Sequence, residues 1–339
     1  MSALQDLIRR TIARHHLCPP GTRLLVALSG GSDSVSLLHL LRELATPDGH
    51  QVVAVGHFNH QLRPEADRDE AFCRALADRL GLPFFVGRAD IRQRATDEGL
   101  SLEDAARRAR YGFLEDALGS SGATRMATGH TRDDQAETFL LKLVRGAGLS
   151  GLGGIYPLRN RCIRPLLGTT RAELQAYLQA RGESWVEDAT NADTTNPRNR
   201  LRHVVLPFLR DTLGGSVDEA IARAAAQAAE DGAWLDGQAA EHLASLSPGP
   251  DGWPVLELDD LRSLPRPLLR RVMWQVMRRQ TGREIGSQHV DSALDVLDGR
   301  VRAGETPAGR WELLGEKLVL LPVATRPVGL PGPSARRRR

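Results

Sequence analysis

An unbroken apolar run, Leu24 to Leu28, stops on Ser29-Gly30-Gly31-Ser32-Asp33-Ser34 and gives way to Val35, Leu37, Leu38, Leu41 and Leu44 at helical spacing. A short apolar run bounded by turn residues reads as a buried parallel strand, which needs cover on both faces. This one junction therefore demands a layered α/β fold. The alternation continues. Strand patterns at Val52 to Phe58, Phe84 to Val86 and Arg125 to Thr128 are followed by helical patterns near 64–80, 101–118 and 133–144. Four such repeats, after an amphipathic helix carrying Leu4, Leu7, Ile8 and Ile12, predict a parallel sheet flanked by helices.

From Gly146 the texture changes. Residues 146–170 are rich in Gly, Pro and Arg and read as loops. Thr170-x-x-Glu173 is a capping box that opens a helix ending near Gly182, and 183–202 is polar and loop-like. A second box, Ser216-x-x-Glu219, opens an alanine-rich helix, and 267–280 and 287–298 also read as helices. A chain of 339 residues has room for about two domains. The expected division is an α/β domain at 1–212, a smaller, mainly helical domain at 213–327 and a disordered basic tail at 328–339.

Apolar residues are 41% and charged residues 26% of the chain, which excludes wholesale disorder. No run approaches the ~20 apolar residues of a membrane span, and the N-terminus lacks a secretory pattern. Cys18, Cys73 and Cys162 are scattered and odd in number, so no disulfide framework or zinc knuckle is expected. These features point to a cytoplasmic protein without a membrane partner. Net charge is +3, but it is unevenly spread: zero over 1–150, +4 over 151–210, −5 over 211–335 and +4 in Arg336–Arg339. A small total therefore does not exclude a polyanionic partner.

The loop at 29–34 sits where a buried strand becomes a helix. There glycines let the backbone approach a phosphate, and the first helical N–H groups are free donors. Ser32 and Ser34 add hydroxyls. Asp33 suits such a cradle if a cation such as Mg²⁺ stands between it and the phosphates. The plainer alternative is a glycine turn with Ser and Asp capping the helix. The loop is not a Walker A motif, which needs a lysine that is absent here. Gly146-Ala147-Gly148-Leu149-Ser150-Gly151 has the dinucleotide spacing but follows a helix, so it carries no NAD reading.

Several blocks together resemble one family. Ser-Gly-Gly-x-Asp-Ser after the first strand resembles the PP-loop of N-type ATP pyrophosphatases. His57-Phe58-Asn59-His60-Gln61-Leu62-Arg63, Ala106-Arg107-Arg108-Ala109-Arg110-Tyr111, Thr128-Gly129-His130, Asp133-Asp134-Gln135-Ala136-Glu137-Thr138, Arg164-Pro165-Leu166-Leu167 and Arg198-Asn199-x-x-Arg202 follow in the order of the tRNA(Ile)-lysidine synthase family. The likeness covers residues 24 to about 210 and weakens beyond, where the additional C-terminal domain of longer members is expected to be missing.

The resemblance implies a two-step reaction. ATP adenylates the carbonyl oxygen on carbon 2 of the wobble cytidine of an isoleucine tRNA with a CAU anticodon. The ε-amine of free L-lysine then attacks that carbon, releasing AMP and leaving lysidine. Pyrophosphate departure calls for the anion cradle of Ser29, Gly30, Gly31, Ser32, Asp33 and Ser34, with Asp33 holding Mg²⁺. Candidates for the catalytic work are Asp33, His130, Asp133 and Asp134. His130, Asp134 and Glu137 lie at i, i+4 and i+7, one face of a helix that begins near His130, where Asp134 and Glu137 suit the substrate's ammonium. Helix-dipole stabilisation is the plain alternative for Asp133 and Asp134, and a surface charge for Glu137.

His57 lies past the second strand, where an open α/β sheet commonly receives adenosine. Arg110 is placed on the triphosphate by the resemblance. Arg198, Arg200 and Arg202, with His203, form a basic stretch suited to a splayed anticodon loop, or else a solvated charge run. His57 and His60 lack a third ligand, so zinc is not expected. The competing reading is a PP-loop tRNA thiolation enzyme, against which three scattered cysteines argue. A non-catalytic nucleotide-binding module would be expected to lose the acids that this chain keeps. A homodimer is left open by the sequence.

Overall fold

The computed structural model describes residues 2–46, 49–62, 65–187, 195–246, 255–281 and 285–321. Arg63 of the second block and the tail 328–339, with Arg336–Arg339, lie outside the described residues. The chain forms two compact units, 1–146 with 151–229, and 147–150 with 230–339.

The first unit opens with α1 (Ala3–Arg14), whose first turn is closed by a Ser2–Gln5 capping box. Its sheet comprises β1 (Arg23–Ala27), β2 (Gln51–Asn59), β3 (Phe84–Arg88), β4 (Arg125–Ala127), β5 (Leu158–Arg159) and β6 (Cys162–Ile163). Helix α2 (Ser32–Glu43) follows β1 and α3 (Ala66–Arg79) follows β2. After β3 come α4 (Ile91–Glu98) and α5 (Leu102–Ser121), and after β4 comes α6 (Arg132–Val144). The strand order is β3-β2-β1-β4-β6-β5, with every pair parallel except β5 on β6. Leu24, Leu25 and Val26 of β1 have no exposed surface, as an apolar run at the centre of a covered sheet requires.

From β1 the chain winds outward through β2 and β3, then returns past β1 to β4. The carboxyl ends of β1 and β4 are thus neighbours where the winding reverses, and ligands of open α/β sheets bind in that crevice. The two-residue strands β5 and β6 extend the sheet through a stretch expected to be loop; they are too short for any period to register. A one-turn helix, α7 (Leu149–Leu152), precedes them.

After β6 the chain returns to the sheet in α8 (Arg171–Ala180), α9 (Pro197–Arg200), a π-helical turn (Leu201–Val205) and α10 (Leu206–Leu213). Helix α11 (Val217–Ala244) then leads from the first unit into the second. The second unit holds β7 (Val255–Glu257), α12 (Leu258–Ser263), α13 (Arg266–Thr281), α14 (Ser287–Leu297), β8 (Ala303–Thr306), β9 (Gly309–Leu314) and β10 (Lys317–Leu321). Its antiparallel sheet, ordered β7-β10-β9-β8, is an addition to the expected helices. Trp311, Leu318 and Leu320 are fully buried from this sheet and pack with Val272, Met273 and Leu294 of α13 and α14.

Candidate active site

The loop after β1 is built around Ser34. Its hydroxyl donates to the Gly31 carbonyl at 3.0 Å and accepts the Ser29 N–H at 3.1 Å. Gly30 has φ +90°, a conformation that glycine adopts without strain. Gly31 caps α2, so the N–H groups of Ser32 and Asp33 have no backbone acceptor, while those of Ser34 and Val35 turn back to the Gly31 carbonyl. A Cβ on Gly129, after β4, would lie 3.0 Å from the Asp33 carbonyl carbon and oxygen. Glycine there lets the turn after β4 close on the first turn of α2.

Helix α6 starts beside that loop. Thr131 and Asp134 form a capping box, with the Thr131 N–H donating to Asp134 Oδ2 at 2.9 Å. Asp134 Oδ1 faces three guanidiniums: Arg171, Arg198 and Arg202 approach through Nη2 at 3.5, 3.4 and 3.5 Å. One turn on, Glu137 is fully buried and accepts Arg198 Nε at 2.7 Å and Arg202 Nε at 2.6 Å. Arg198 and Arg202 lie four residues apart across the start of the π-helical turn, and both reach inward. Arg171 Nε donates to Asp33 Oδ2 at 3.0 Å, and its backbone N–H donates to Asp133 Oδ2 at 2.9 Å. Arg210 lies 3.7 Å from Asp133 Oδ1 and makes a two-pronged pair with Asp218 of α11, at 2.6 and 2.9 Å.

These surroundings shift the acids in opposite directions. Burial, with the neighbouring Asp134 charge, holds the Asp33 carboxyl above its ordinary value despite Arg171. Burial also acts to raise Asp134, but the charges of Arg198 and Arg171 outweigh it and leave Asp134 below the carboxylate range. His130 hydrogen-bonds Thr128 Oγ1 through Nδ1 at 3.0 Å. Burial and the charges of Arg164 and Arg110 push it down to about 3, so its ring is neutral at pH 7. His60 is lowered to about 4 by burial and Arg110.

Each expected residue can now be placed. Asp33, Asp133, Asp134, Glu137, Arg198 and Arg202 meet in one cluster, with His130 beside it. Ser29, Gly30, Gly31, Ser32 and Ser34 form its floor. Arg110 stands over the Tyr111 ring at 5.5 Å and near His60 and His130. His57 is buried and bonds the Leu28 carbonyl at 2.8 Å, which pins β2 to the base of the loop. Arg200 is exposed. The sequence reading missed Arg171, the residue that joins Asp33 to Asp134. Its one local signal was an arginine directly after a helix cap.

A PP-loop domain family matches residues 4–209. The tRNA(Ile)-lysidine synthase of Geobacter sulfurreducens is 39% identical over 325 residues, spanning 94% of this chain and 67% of the relative. That of Thermus thermophilus is 42% identical over 261 residues, spanning 77% of this chain and 49% of the relative. The chain therefore spans about two thirds of one relative and about half of the other. Among solved structures, the U34-tRNA thiolase NcsA from Methanococcus maripaludis with its [4Fe-4S] cluster superposes with a TM-score of 0.56 at 17% identity, covering 67% of this chain and 78% of that one. At that identity the likeness shows the fold alone.

Proposed function

The chain belongs to the tRNA(Ile)-lysidine synthase family of PP-loop enzymes, and from that premise we propose that it joins free lysine to carbon 2 of the wobble cytidine in an isoleucine tRNA with a CAU anticodon. ATP first adenylates the oxygen on that carbon, and pyrophosphate leaves. The lysine ε-amine then attacks, and AMP leaves. The observation that carries this reading is the convergence of Asp33, Asp134 and Glu137 on Arg171, Arg198 and Arg202 beside the loop after β1.

The loop N–H groups and Arg171 suit the phosphates, since fixed donors aimed at developing charge stabilise it most. Asp134 and Glu137 suit the ammonium of lysine, which can exchange with the guanidiniums now held there. A lysine amine is protonated at an ordinary pKa of ~10.4, and attack needs the neutral form. Desolvation in the site favours the neutral amine, against the opposing pull of Asp134 and Glu137 on its charged form. Neutral His130 is a weak base, so hydrogen bonding from Thr128 to substrate fits it better than proton transfer.

Magnesium fits the donor set. It takes one or two carboxylates together with phosphate oxygens. Asp33 and Asp134 offer hard oxygens close enough for one Arg171 side chain to contact both. Among the described residues no trio of His, Cys, Asp or Glu is arranged to hold a metal alone, so the ion would arrive with the nucleotide. Bound there, it would neutralise the departing pyrophosphate.

Exposed Arg200 is the member of its basic stretch best presented to RNA phosphates. Sulfur transfer is disfavoured by the thiols. Burial pushes Cys18 up to about 11 and Cys73 up to about 12, so both stay protonated. Among the described residues no helix is long and apolar enough to cross a membrane. Free thiols and a tRNA substrate favour a cytoplasmic setting. The test is product release: AMP, and pyrophosphate beyond the first equivalent per enzyme, should appear only when tRNA and free lysine are both present. Release with tRNA but indifferent to lysine would overturn the assignment of lysine as the nucleophile.

A further inference from the structure

The stretch from Glu183 to Glu187, expected to be plain loop, lies against the loop after β1 at a defined point. At one end the Glu183 carboxylate accepts Arg79 Nη1 at 3.2 Å and Nη2 at 2.6 Å, and lies 3.6 Å from His39 Nε2 of α2. Three residues on, the Val186 N–H donates to the Gly30 carbonyl at 2.9 Å. The contact is tight in side chains too. A Cβ on Gly30 would lie 3.3 Å from Val186 Cγ2 and 3.3 Å from Cys73 Sγ.

The Gly30–Gly31 peptide joins two glycines, so side-chain sterics do not select its orientation. In a trans peptide the C=O and the N–H point in opposite directions. With the Gly30 carbonyl held by Val186, the Gly31 N–H must point away from Val186. It thereby joins the Ser32 and Asp33 N–H groups as a donor without a backbone partner. Turned over, the same peptide would present a carbonyl oxygen where an anion has to bind. We infer that Val186 is a positioning residue whose main-chain N–H latches the Gly30–Gly31 peptide in its anion-accepting orientation. The inference rests on the reading of this loop as a phosphate cradle.

An amide-to-ester exchange at residue 186, made with the α-hydroxy acid analogue of valine in the full chain, removes the N–H and keeps the side chain. Val186→Ala does the reverse. Equilibrium binding of a non-hydrolysable ATP analogue, of inorganic pyrophosphate and of the tRNA is measured for each. The ester is expected to weaken both phosphate probes about tenfold, to raise KM for ATP at nearly constant kcat, and to leave tRNA affinity unchanged. Val186→Ala should stay within about twofold of the parent on all probes. Val186→Pro, which also lacks the N–H, should follow the ester. Unchanged pyrophosphate affinity in the ester, or equal weakening in Val186→Ala, overturns the latch. A parent chain that binds no ATP analogue would instead sink the phosphate-cradle reading itself.

Discussion

Arg198 Nε lies 2.7 Å from Glu137 Oε2, and Glu137 has no exposed surface. Arg202 reaches the same carboxylate through Nε and Nη2, at 2.6 and 3.0 Å. A buried acid held by two arginines from one short stretch ties residues 198–202 to α6, and it brings both guanidiniums to the place where the substrate amine is expected.

Removing the acid should cost more than removing either base. Glu137→Ala leaves two half-buried guanidiniums with only their longer contacts to Asp134 and should destabilise the fold by about 3 kcal/mol, because breaking a pair to a buried acid strands its partners. Arg198→Ala leaves Glu137 with both bonds from Arg202 and should cost less than half as much. Urea unfolding of the two variants checks the order, and equal losses would count against the pairing.

Asp33 and Asp134 should be needed for chemistry rather than folding. Asp33→Ala and Asp134→Ala are each expected to lower tRNA-dependent ATP–pyrophosphate turnover by a factor of at least about 10². Their circular dichroism spectra should match the parent's. Parent-like turnover in both would remove these carboxylates from the reaction.

Gly129→Ala tests the closeness of the turn after β4 to the first turn of α2. Its Cβ would meet the Asp33 backbone at 3.0 Å and the Ser34 nitrogen at 3.1 Å, and backbone cannot swing aside. Overpacking of this kind costs about 1–3 kcal/mol. ATP affinity should fall as well, because the displaced atoms belong to the cradle. Gly148→Ala, whose Cβ meets nothing within 4 Å, is the control.

Stability should fall on acidification. Burial holds His57 below the ordinary value of 6.5, His60 at about 4 and His130 at about 3. Below 6.5 the unfolded chain takes up protons that the folded chain refuses, so stability rises with pH across that window and is lost as pH falls through it. Burial lowers His39 and His50 as well, so Asp33, raised by burial and acting in the opposite sense, is one group against five. The melting temperature should therefore drop between about pH 7 and about pH 5, and His60→Gln should flatten the slope.

The sheet domain was legible because its signals are local. Leu24 to Leu28 and the glycines after it mark a strand and its turn without reference to the rest of the chain. The spacing of His130, Asp134 and Glu137 likewise put the latter two on one face. Arg171 was not legible, because its role depends on α8 packing on α2 with its N-terminus beside the start of α6, and capping boxes say nothing of neighbours. Arg198 and Arg202 were seen but expected to face RNA; only the fold reveals the carboxylates that hold them. The β9–β10 hairpin could have been found: Trp311 and Leu313, then Leu318 and Leu320, alternate around Gly315-Glu316.

Incubation of an unmodified CAU-anticodon isoleucine tRNA with the full chain, ATP and isotopically labelled lysine tests the central claim most directly. The expected result is label at the wobble nucleoside, in step with AMP release, and none in the same tRNA when its wobble base is uridine. AMP formed without label in the tRNA, or label at any other nucleoside, would contradict it.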